Sequence, residues 1–420
     1  MAFKRNSRRI SVGKSKLPPK EKKSKIEYDE NELDGTSKES RFKIVSGQRR
    51  RNRKIRLITY GVILLMIIAL IVVNFVTPTG LLESIQNGYS TFGGGKFPVD
   101  LYSINCTDFV TDKSVTAVIN YTYLEIYNNR GKLIQAASHG LSNPRLEFSE
   151  ARFLLFDRDR YSVKVYNYSS ELYTREFEKT VVTADISRSG AYAVVTGADS
   201  YFATLYVYNK NNELLYTWNS AENYITDVAV SESGKSVAVS LLNASGGSFC
   251  SKIYILDFDS NAPRAKYEFG GLISSLRSVN KNYILASGIE NAYVLPWNGT
   301  VHSDIGISGV IRNISHPLNG YVAVCYGRSS NETVNTVVVI DPKGHVGQPF
   351  RFNAKVTDIA VTENDVAVLS DTAVYIYDHK GTASGEIATE VKYGFIGLLS
   401  DGSLLASDNS SIVRLSADKE

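Results

Sequence analysis

Beyond residue 96 of this 420-residue chain, one pattern recurs about every 41 residues, and it limits the fold more than any other feature. Each copy has a strand-like run ending in an aromatic or apolar residue. Asn or Asp usually follows, then a polar turn, then a second strand-like run. The run ends are Tyr127, Tyr166, Tyr208, Phe258, Trp297, Ile340, Tyr377 and, more loosely, Leu415. A unit of this length with several short strands cannot bury its apolar surface alone. Neighbouring units arranged around an axis can, which is the β-propeller solution. The chain has 26 Tyr against 2 Trp, and Tyr, Val, Ile and Thr favour strands.

A second pattern keeps the same phase. Thr183-Ala184-Asp185-Ile186-Ser187 runs through Arg188-Ser189-Gly190 into a small-residue strand. Thr226-Asp227 leads through Glu232-Ser233-Gly234, Thr357-Asp358 through Glu363-Asn364, and Gly397-Leu398 through Asp401-Gly402. Ser, Asn and Asp close such turns on the backbone, and Gly accepts positive φ. The small residues that follow (Ala191, Ala193, Ala238, Ala323, Ala367) suit the narrow space near a propeller axis. The last repeat stops after its third strand, and an orphan strand, Lys96–Ser103, precedes the first. Pairing the two would close the ring and leave no long edge open. The expected fold is therefore all-β, an eight-bladed propeller, with seven blades as the alternative.

The N-terminal part is of another kind. Residues 1–56 carry 19 Lys/Arg and 7 Asp/Glu, while the rest is acidic. A basic head on an acidic body points to two compartments and not to a nucleic-acid-binding surface. Residues 57–76 hold no charge and are long enough to cross a bilayer. The basic flank on their N-terminal side predicts a cytoplasmic N-terminus and a translocated C-terminal domain. The expected division is a disordered basic cytoplasmic tail (1–54), a transmembrane signal-anchor helix (55–76), a linker (77–95) and an extracytoplasmic propeller (96–420).

The blade endings resemble those of WD40-like and quinoprotein-like propellers. Tyr208-Asn209 followed by Glu213-Leu214-Leu215-Tyr216-Thr217-Trp218 is similar to the quinoprotein type. The Trp does not recur in phase, and neither do the Gly-His and Trp-Asp pairs of WD40 blades. The whole layout, from about residue 50 to 420, is similar to a family of single-span, membrane-anchored propellers of unknown function from Gram-positive bacteria. That resemblance implies a fold and a cell-surface location, and no activity.

Chemistry is sparse. Cys106, Cys250 and Cys325 are odd in number and far apart, so they read as buried small hydrophobes and not as a disulfide framework. His139, His302, His345 and His379 fall near turns between outer strands and, like His316, read as surface residues without ligand-spaced partners. No hydrolase, metalloprotease or phosphate-loop motif is present, so no cofactor, catalytic residue or metal ligand is expected. Asp185, Asp227 and Asp358 recur at the starts of inner strands. They are read either as turn and strand-end caps or as an acidic ring at the axial opening. The function expected is non-enzymatic: a membrane-anchored scaffold or binding protein for a protein or cell-envelope glycan. The alternative is a hydrolase of a cell-surface polymer with its site at the axial mouth.

Overall fold

The computed structural model describes residues 35–416 except 246, 261, 329–332 and 400; residues 1–34 of the expected tail lie outside the described residues. By contacts the chain falls into two units, Met1–Ala69 and Leu70–Glu420. Helix α1 (Gly35–Val76) contains a 24-residue stretch, Arg51–Asn74, of mean hydropathy 2.7. That stretch is long and apolar enough to cross a membrane. Residues 35–54, expected to be disordered, are helical. Lys, Arg, Glu and Gln are good helix formers, and adding turns to an existing helix avoids the cost of nucleation.

The propeller consists of eight four-stranded antiparallel sheets. In each blade the strands follow one another outward as a, b, c and d. The a strands are Asp108–Thr111, Pro144–Ser149, Val181–Ile186, Tyr224–Val230, Ser275–Ser278, Val310–Ile314, Asp358–Val361 and Phe395–Leu398. The b strands pack against both neighbouring blades, which explains their continuous apolar runs. Val115–Ile119, Tyr192–Thr196 and Val322–Gly327 are buried at every position. The d strands are the most exposed of the four, and Phe350–Asn353 alternates strictly between buried and exposed.

The ring closes as the sequence implies. Val99 pairs with Ile412 and Asp100 with Ser411, so residues before the first blade supply the d strand of the last. The Leu101 N–H extends the pairing to the Ser410 carbonyl at 2.8 Å. Eight blades result, and the seven-blade alternative falls. The cores lie between blades. Phe109 and Val118 of blade 1 share one buried cluster with Leu405 and Ile412 of blade 8, so the seam is packed like the other joints.

The a–b turns use the expected chemistry. Gly190 and Gly234 have φ of 79° and 63°. At Gly234 a Cβ would run into the Ser189 hydroxyl and come within 2.9 Å of the Ala191 Cβ. Glycine here serves both the left-handed turn and the close approach of blade 4 to blade 3.

The stretch expected to be a linker carries a second helix, α2 (Leu81–Ser90). Its polar side is bound to the propeller. Glu83 receives two hydrogen bonds from Arg152, at 2.7 and 2.5 Å. Arg152 is only 2% exposed and also donates to the Lys210 carbonyl at 2.8 Å. Asn87 donates to the Ala151 carbonyl and accepts from the Tyr168 N–H, at 3.1 and 3.2 Å. A linker reading sees only Gly and Pro punctuation; the partners of Glu83 and Asn87 lie more than sixty residues away.

Candidate functional site

A cavity of about 440 Å³ opens at the axis on the face that carries the a–b turns, with blades 1 to 6 forming its wall. Its floor is set by one register position, two residues before the turn begins. In blades 2, 3 and 5 that position holds Glu147, Asp185 and Arg277, and all three line the cavity. In blades 4, 7 and 8 the same position holds Ala229, Ala360 and Gly397. At Gly397 the missing side chain makes room for Thr111 of blade 1, and the charged floor residues come from blades 2, 3 and 5 alone. The rim adds Asp112, Lys113, Glu150, Arg188, Glu232 and Lys281. Glu150 is paired with Arg188 at 2.9 Å, while Arg277 donates to the Ser315 carbonyl at 2.8 Å.

Burial and mutual repulsion raise the acids here. The Glu147 carboxyl is held well above the usual carboxylate range, first by burial and then by the Asp185 charge, with Arg277 opposing. Asp185 is pushed up to about 7 by burial; the Val230 N–H counters this, and Asp227 adds to it. Burial also lifts Asp112, on the rim, to about 6. Asp108 goes the other way. Burial alone would raise it, but His316, 3.8 Å away, and the Phe109 N–H more than offset that. Near neutral pH the floor therefore holds fewer negative charges than carboxyl groups, beside one guanidinium. Ser278 Oγ, also on the wall, is buried without a hydrogen-bond partner. Such an arrangement offers donors and acceptors to a polar guest. Among the described residues no group of three or more His, Cys, Asp or Glu is placed to hold a metal ion.

Asp185, Asp227 and Asp358 do not form one ring. Asp227 and Asp358 share a register position with Asp108, four residues before the turn, whereas Asp185 sits two residues further along, level with Glu147. Only Asp185 lines the large cavity; Asp358 lines a much smaller one that also contains His316. All three make the same kind of joint between blades. Asp185 accepts the Val230 N–H at 2.6 Å, Asp227 the Leu276 N–H at 2.8 Å and Asp358 the Ile396 N–H at 2.9 Å. Each carboxylate thus ties its blade to the a strand of the next, a refinement of the capping reading.

Sequence reasoning missed Glu147 and Arg277. The available signal was their distance from the a–b turn, but the turns of blades 2 and 5 lack the Ser-x-Ser-Gly form that marks blades 3 and 4. The surface reading of the histidines fails at His139, which is fully buried. Its Nε2 lies 2.9 Å from the Asn120 carbonyl, and its Nδ1 accepts the Leu141 N–H at 3.0 Å. A neutral ring satisfies both contacts, and burial lowers its pKa accordingly.

Comparison with known proteins agrees with this architecture. Residues 114–397 match the model of a family of unknown function, DUF5711. Comparison with curated proteins gave no match. Among solved structures the chain is similar to Sqt1 of Saccharomyces cerevisiae, at 10% identity and a TM-score of 0.53, over 78% of this chain and all of that one. It is also similar to the C-terminal WD40 domain of Sif2, at 13% identity and a TM-score of 0.50, over 77% of this chain and all of that one. BamB from Moraxella catarrhalis aligns over 77% of this chain and 99% of its own, at 13% identity and a TM-score of 0.49. At such identities the likeness to Sqt1 and to the Sif2 domain is one of fold alone.

Proposed function

The chain belongs to the DUF5711 family of unknown function, and from that premise we propose that it is a membrane-anchored binding protein whose propeller holds a polar segment of a protein or a cell-envelope glycan. The observation that carries this is the axial cavity, with Glu147, Asp185 and Arg277 on its floor. The floor mixes both charge signs, one wall hydroxyl lacks a partner, and the rim carries further charges of both signs. A concave pocket with a few convergent polar groups is the default place for a ligand, and a fold shared by many activities leaves the site as the guide. The membrane anchor is the Arg51–Asn74 stretch of α1, with the basic flank before it favouring a cytoplasmic N-terminus and an extracytoplasmic propeller.

The test is photo-crosslinking in cells from rim positions Arg188, Lys281 and Asn319, with d-strand positions Arg351 and Glu386 as controls. One partner captured from the rim alone supports the proposal. Equal capture from rim and d strands, or none from the rim, overturns it.

A second reading, a hydrolase of a cell-surface polymer, is favoured by one observation. Glu147 and Asp185 both line the axial cavity, and burial and then the Asp185 charge hold the Glu147 carboxyl well above the usual carboxylate range, the direction a general acid needs. Release of soluble sugar or ester products from purified envelope, abolished by Glu147→Gln, would establish it. No release by the intact chain would remove it.

A further inference from the structure

We infer that α2 is an interfacial helix, with its outward side lying in the headgroup layer of the bilayer that α1 is proposed to cross. Leu82, Ile85 and Tyr89 follow one another at helical spacing and are 82%, 58% and 79% exposed; Phe92, one turn later, is 73% exposed. They form one continuous apolar stripe. The helix cannot roll to hide it, because its other side is held by Glu83 on Arg152 and by Asn87 on the blade 2 backbone. A soluble protein rarely leaves four large apolar side chains of one element in water.

The covering phase follows from the chain itself. Only residues 77–80 separate the end of α1 from the start of α2. Four residues reach at most ~14 Å. A stripe so close to the end of a membrane span meets lipid before any other apolar surface. The composition fits the interface, where aromatic rings gather and lysines face anionic headgroups. Tyr89 and Phe92 supply the rings. Lys132, whose Nζ holds the Phe92 carbonyl at 2.6 Å, and exposed Lys96 supply the charge. The proposal rests on the membrane-anchor reading and adds an orientation to it. α2 sits on the a–b and c–d turns of blade 2, with Arg152 beneath it reaching the c–d turn of blade 3, on the face where the axial cavity opens. With the stripe in the headgroups, the cavity mouth turns toward the bilayer, and its guest is a group presented at the membrane surface.

The test uses the full chain in vesicles of phosphatidylcholine and phosphatidylglycerol. Single variants Leu82→Trp, Ile85→Trp and Tyr89→Trp are compared with a control, Arg351→Trp, after subtraction of the signal of the unsubstituted chain. Alkaline carbonate washing reports separately whether the chain is integral. The expected result is an integral chain whose three stripe indoles are quenched at least twofold more by bromolipid than the control and resist aqueous iodide. An integral chain whose stripe indoles respond to iodide and not to bromolipid overturns the interfacial helix and leaves the span standing. Indoles shielded from both quenchers mean that protein covers the stripe, and the lipid assignment falls. A chain that washes off overturns the span and this proposal together.

Discussion

Both carboxylate oxygens of Glu125 accept the backbone N–H of Tyr102, at 3.0 and 3.1 Å. The same group takes Asn120 Nδ2 at 2.9 Å and the Tyr127 hydroxyl at 2.6 Å, in a site with no solvent exposure. A buried carboxylate therefore ties the closing segment to blade 1. Glu125→Ala removes the acceptor of three donors at once and should destabilise the propeller by roughly 3 kcal/mol. Glu125→Gln keeps one acceptor and should lose less. Urea midpoints at constant slope measure the order; equal losses would show that the charge and its geometry are irrelevant.

The closing strand itself can be removed. A soluble fragment starting at Asp108 lacks Val99, Leu101 and Phe97, which pack on the cluster between blades 8 and 1. It also leaves Ser411 and Ile412 without their partners on that edge. Lost burial of about 2 kcal/mol for each large apolar side chain, plus the lost hydrogen bonds, approaches a typical domain's whole stability of ~5–15 kcal/mol. A fragment starting at Gly93 should melt well above one starting at Asp108, as read by circular dichroism. Matching melting temperatures would show that the strand does not hold the ring.

Gly234→Ala places a methyl group against the Ser189 side chain at a positive φ. The expected loss is about 1–3 kcal/mol. Gly402, with φ of 78° but open space around its missing Cβ, gives the matched control. Gly402→Ala carries the backbone strain without the clash and should be milder. The difference between the two midpoints isolates the contact between blades 3 and 4.

The three thiols should differ in reactivity. Cys106 and Cys325 are buried, and burial raises both to about 12. Cys250 is half-buried on a c strand. In the native protein one thiol should react promptly with an aromatic disulfide reagent, and all three should react in denaturant. A single reactive thiol in denaturant would reveal a disulfide.

Much of the fold was legible because it repeats. The period near 41 residues, the Gly-containing turns at Gly190 and Gly234 and the surplus strand at Lys96–Ser103 are local signals, and together they fix eight blades and their closure. The site was less legible because it depends on register between blades. Thr-Asp at 226–227 and Thr-Ala-Asp at 183–185 look alike in sequence. A two-residue offset nevertheless puts Asp185 on the cavity floor and Asp227 outside its lining. Arg277 lies in the short strand Ser275–Ser278, with no turn signature to mark it. The docking of α2 depends on Arg152, 69 residues from Glu83, a separation that local pattern cannot bridge.

The last expectation concerns pH. Asp185 has a folded-state value of about 7, raised above its ordinary 3.8 by burial, and Glu147 and Asp227 are raised in the same direction. Between about pH 4 and pH 7 the folded state thus binds more protons at these sites than the unfolded chain does. Stability falls with rising pH wherever the folded state holds the extra protons. The contribution of these groups is therefore fully present only below the ordinary carboxyl value of 3.8 and is lost progressively as the pH climbs from there through 7. Asp185→Asn removes the charge and keeps a carbonyl oxygen that can accept the Val230 N–H. It should raise the midpoint modestly at pH 5 and by more at pH 8. Asp185→Ala should lower stability at both, since the Val230 N–H then loses its acceptor. Urea midpoints at the two pH values test this. An Asp185→Asn variant less stable at pH 8 than the parent chain would mean that the ionised carboxylate, and not its hydrogen bond, joins blade 3 to blade 4.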